Sequence, residues 1–143
     1  METSKVLAHV LGVANGSRAS IGITEKHVKA MLDVAGRTGF AYVFGARSMS
    51  SRSALIVAFR DGDVLRLAFA DVSRVAVAGS LANVLPGFPA GPLGDVAPGT
   101  KMSPRPDYAG VSIVALNLLP GAASLVASWM RAASPAFALP VAA

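Results

Sequence analysis

The chain has 143 residues, enough for one domain with its own hydrophobic core, and carries 13 Lys and Arg against 8 Asp and Glu, a net charge of +5. The lack of cysteine excludes disulfides, thiolate metal sites and cysteine catalysis. Charged residues make up only 15 % of the chain, against roughly 25 % in an ordinary soluble domain, so a buried interface or a membrane contact is the simplest use for the apolar excess.

Thr3 or Ser4 can cap a first helix with Leu7, Val10, Leu11 and Ala14 at helical spacing, ended by Asn15-Gly16. Lys5 ahead of this short apolar run gives it the look of a secretory signal, but His9 interrupts the run and no cleavage is expected. A second helix is capped by Thr24, has Glu25 in its positive first turn, and lines one face with Val28, Met31, Leu32 and Ala35. Gly36 is expected at its left-handed end. A strand at Phe40–Phe44 and a Ser-rich loop at 48–53 follow.

The stretch SALIVAFRDGDVLRLAF, residues 53–69, reads as a hairpin around Asp61-Gly62 that pairs Arg60 with Asp63 and Phe59 with Val64. Alternation puts Ala54, Ile56, Ala58, Leu65, Leu67 and Phe69 on a core face. The opposite face holds Leu55, Val57, Phe59, Val64 and Ala68, with Arg66 as its one charge. A strand pair apolar on both sides sits between layers, or one side meets another chain. Residues 72–78 are expected to continue the meander, with a helix from Asp71 as the rival. Residues 80–85 make at most a helical turn before Pro86.

Residues 86–107 are dense in proline and glycine and include Phe88, a composition that forms neither helix nor central strand. An extended arm lying on a neighbouring subunit is the expectation. Residues 108–130 then run without a charge. One reading is a buried strand at 111–119, a break at Pro120-Gly121 and a helix at 122–133. The other is a membrane span flanked by Tyr108 and Trp129. The tail, with Phe137 and Leu139, is apolar and needs a surface to lie on.

Motifs for chemistry are weak. Residues 94–101 have two glycines at phosphate-loop spacing, but Thr100 and Lys101 come in inverted order. Asp61 and Asp63 lack the further acids of a calcium loop. His9 and His27 are the only imidazole bases, and no nucleophile elbow accompanies them. No enzyme, cofactor, metal or small-molecule substrate is indicated. Arg37, Arg47 and Arg52 are the residues that could meet a phosphate backbone.

The expected fold is α+β: two N-terminal helices, an antiparallel β-meander, a Pro/Gly-rich arm and a C-terminal apolar strand/helix. It divides into 1–85 as the core, 86–107 as the arm and 108–143 as the apolar C-terminal element. The expected role is a non-enzymatic structural subunit of a larger assembly, such as a virion or tail component or a cytoplasmic complex. Its partners would be copies of itself or other subunits, met through Leu55, Val57, Phe59, Val64, Phe88, Phe137 and Leu139. The alternatives are a membrane-anchored accessory subunit with a span near 108–130 and a basic nucleic-acid-binding module.

Overall fold

The structure, a computed structural model, describes residues 25–46, 52–73, 81, 85, 87–89, 93–96, 110–133 and 138–140. The expected first helix, Arg47 and Phe137 lie outside these residues. The fold is α+β, and the described residues form six strands in one antiparallel sheet with a helix on each face.

Helix α1 spans Glu25–Thr38. Its buried stripe is Val28, Met31, Val34 and Ala35, while Leu32 is only partly buried. On the exposed side Lys29 pairs with Glu25 and Arg37 with Asp33, each at 3.1 Å and four residues apart. Such exposed pairs contribute about 0.3–0.5 kcal/mol each. The helix does not stop at Gly36. It runs on to Thr38, and Gly39, at φ 99°, takes the left-handed position, its N–H bonded to the Ala35 carbonyl at 2.8 Å.

Strand β1 (Phe40–Ala46) pairs with β2 (Arg52–Asp61), which pairs with β3 (Val64–Ser73). The hairpin register differs from the expected one by two residues, with Asp61 opposite Val64 and Phe59 opposite Arg66. Gly62, at φ 67°, takes the first central position of the turn, so the turn residues are Gly62-Asp63. A two-residue slip preserves parity, so the faces are as the alternation predicts. β3 extends through Asp71 to Ser73, which overturns the rival helix from Asp71; residues 74–78 lie outside the described residues.

The chain then crosses to the other side of β1. Strand β4 (Gly94–Val96) forms an edge on β5 (Gly110–Leu118), and β5 pairs with β1, Phe40 opposite Leu116. Only β1–β2–β3 is therefore a meander. Helix α2 (Pro120–Ala133) follows, and β6 (Ala138–Pro140) closes the far edge against Val64–Arg66 of β3. The sheet order is β4-β5-β1-β2-β3-β6.

Residues 110–133 thus form a strand and then a helix rather than one continuous helix. β5 is an inner strand, and Pro120 opens a separate helix, the position where its missing N–H costs nothing. Among the described residues no helix is long and apolar enough to cross a membrane.

Candidate interaction surface

Alternation along the strands builds two apolar faces. Ala41, Val43, Ile56, Ala58, Leu67 and Ala115 pack with α1. Phe40, Leu55, Val57, Phe59, Val114 and Leu116 point the other way, where α2 covers them with Val126 and Met130. Leu81, Leu85 and Phe88 complete that second cluster. Phe88 sits edge-on to Trp129 at 5.1 Å between ring centroids and 6.3 Å from Phe40.

The expectation that Leu55, Val57, Phe59 and Phe88 meet another chain needs correcting: all four are buried by the chain's own residues. Two hydrophobic layers on one sheet require two covers, and α2 with Leu81, Leu85 and Phe88 supplies the second. Of the expected arm the structure describes residues 87–89 and 93–96, and these belong to the fold: Phe88 enters the core and Gly94–Val96 adds a strand to the sheet. The pairing of β4 with β5 also turns the backbone of Gly94–Val96 to the sheet, away from a phosphate cradle. Val64 is partly exposed beside β6, and Leu139 stands opposite Leu65 in the β3–β6 ladder.

The outer side of α2 is different. Pro120, Gly121, Ser124, Leu125 and Ser128 are exposed, and the helix carries no charge before Arg131. Leu119 is 49 % exposed and Leu125 59 %, the exposed large hydrophobics among the described residues.

The arginines do not form one patch. Arg37 lies in the last turn of α1 and is engaged with Asp33. Arg52 opens β2 opposite Ser73, at the far end of the strand from Arg60. Eight residue steps along a strand place those two ends about 26 Å apart. Arg60 belongs with Arg37's end, since its guanidinium donates to the Gly36 carbonyl at 2.5 Å and to the Gly62 carbonyl at 3.0 Å. Seven cations face six anions among the described residues, so most of the surplus of +5 lies elsewhere in the chain.

The polar cluster that sequence reasoning missed is built on Asp61. Arg66 Nε donates to its Oδ2 at 2.9 Å, and Arg131 grips both oxygens at 2.8 Å through Nε and Nη2. The hydrogen bonds of Arg131, then those of Arg66, hold the Asp61 carboxyl well below the usual carboxylate range. Asp61 and Arg131 are 70 positions apart, so no local spacing announces the pair. The triad fastens the last turns of α2 to the hairpin end. Among the described residues no group of His, Asp and Glu is placed to hold a metal. Burial raises the Tyr42 phenol above its ordinary value.

Compared with known proteins, the chain matches no family model, no curated protein and no solved structure.

Proposed function

We propose that the protein is a non-enzymatic assembly subunit that works through apolar contact with further copies of itself. The observation that carries this reading is the outer side of α2. A surface helix of a monomer ordinarily turns a charged face to water. Here the exposed positions from Pro120 to Ser128 offer only proline, glycine, serine and leucine, with Leu125, and Leu119 just before the helix, about half exposed or more. The low charge of the whole chain supports the same reading.

Light scattering and sedimentation across a concentration series test it. The wild-type chain is expected to exceed its single-chain mass of 14.5 kDa. Leu125→Glu is expected to reduce the assembly's mass without lowering Tm, because the side chain touches little of its own fold. A wild-type chain that stays at single-chain mass at every concentration overturns the proposal.

A further inference from the structure

We infer that two copies of the chain pair through their α2 helices, antiparallel about a twofold axis that passes between Ser124 and Leu125. The inference rests on the assembly reading and names its contact. The exposed positions Gly121, Ser124, Leu125 and Ser128 stand at i, i+3, i+4 and i+7, the corners of the hole into which a facing helix sets a side chain. Gly121, Ser124 and Ser128 are small, and a Cβ added at Gly121 would meet nothing within 4 Å. Leu125 is the remaining corner and, at 59 % exposed, the large side chain of the row. The same patch thus carries both knob and hole. That is the condition for a twofold contact, in which each copy offers the other the surface it receives.

Register follows from the spacing. An antiparallel pair that sets Ser124 against Leu125 also sets Gly121 against Ser128, so each leucine meets a small residue. Leu119 then reaches the last turn of the other helix, where Ala132 and Ala133 are exposed. Charge selects the direction. Arg131 is the only charged residue of α2, and its side chain is 59 % exposed. A parallel pair brings the two guanidiniums together at one end. The antiparallel pair keeps them at opposite ends, each bound to the Asp61 of its own chain. It also lays the partly positive start of each helix beside the partly negative end of the other. A contact one 14-residue helix long, about 21 Å, lies below the roughly 1,200 Å² of a stable interface, so the mass should rise with concentration.

The absence of native cysteine allows a direct test in the full chain, at concentrations where its mass exceeds 14.5 kDa. Ser124→Cys stands beside the axis and is expected to give a linked dimer after mild oxidation, read on a denaturing, non-reducing gel. Ser128→Cys lies about 10 Å along the helix from its own counterpart and is expected to stay at the chain mass. Mixed with Gly121→Cys, it is expected to link. Lys26→Cys, exposed on α1, controls for collision and is expected at the chain mass. A linked Ser128→Cys homodimer overturns the antiparallel pair, and so do equal yields from Lys26→Cys and Ser124→Cys. An assembled chain in which no α2 cysteine links two copies overturns the pairing and leaves the assembly reading standing through another surface. A wild-type chain at single-chain mass throughout overturns both. If a cysteine variant does not fold, Leu125→Ala removes the knob without adding a group. Its rise in mass is expected at higher concentration than wild type, and an unchanged concentration dependence overturns the pairing.

Discussion

At the residue scale, Asp61 is the polar group on which most depends. Its carboxylate accepts from two guanidiniums on different elements, and its folded-state value lies below the ordinary carboxylate range. A depressed value means that the charged form is favoured by folding. The stabilisation is present in full above the unfolded value, near pH 4, and is lost as pH falls toward the folded value. Asp61→Asn removes the titration and leaves two guanidiniums facing a neutral amide. Its urea midpoint is expected below wild type at pH 7, with a flatter decline below about pH 4, where the wild-type advantage itself titrates away. Acid limbs that run parallel in the two proteins would assign the stability elsewhere. Gly94 makes a separate demand on space. A Cβ there would run into the Asn117 carbonyl on the paired strand, a backbone atom that cannot swing aside. Gly94→Ala is expected to detach β4 and cost about 1–3 kcal/mol in chemical denaturation.

At the element scale, the two helices are held unequally. α1 buries Val28, Met31 and Val34, while α2 buries Val126 and Met130 and leaves Leu125 outside. At about 1.5–3 kcal/mol for each large apolar side chain withdrawn from water, α1 gains roughly half as much again from that source. α2 compensates with the Arg131 clamp and the Phe88–Trp129 contact. The elements themselves were largely legible. The stripe from Val28 to Ala35, the alternation from Leu55 to Phe59 and the Pro120-Gly121 boundary each identify a helix or strand close to where it stands. Their exact ends were not. Gly36 and Gly39 are both plausible stops from composition, and only the run of backbone hydrogen bonds to Gly39 separates them. In the hairpin either Asp61-Gly62 or Gly62-Asp63 satisfies the alternation, because the two registers share parity. A positive φ at Gly62 suits either turn, and the pairing of Asp61 with Val64 decides.

At the scale of the whole molecule, what the sequence did not reveal is which surfaces meet. Leu55, Val57 and Phe59 announce a second apolar face, but nothing local to them says that a helix from near the other end of the chain covers it. The Pro/Gly-rich stretch hides Phe88 and β4 for the same reason, since an edge strand of three residues has no periodicity to detect. The Asp61 triad is likewise a product of tertiary closure, joining a turn to a helix far along the chain.

That closure also sets how the molecule should come apart. The inner strands β1, β2 and β5 are each paired along both sides or over their full length, and α1 packs on all three. α2 is tied to this body by two fully buried side chains, a partly exposed ion triad and a one-residue hinge. Elements with few buried contacts open at lower free energy than the global transition. Native-state hydrogen exchange in rising urea is therefore expected to divide the amides in two. Those of α2 should exchange through a smaller, less urea-dependent opening, while those of α1 should follow β1 and β2 to the global limit. α2 amides with the same free energy and the same urea dependence as those of β1 would mean that the second layer is as firmly built as the first.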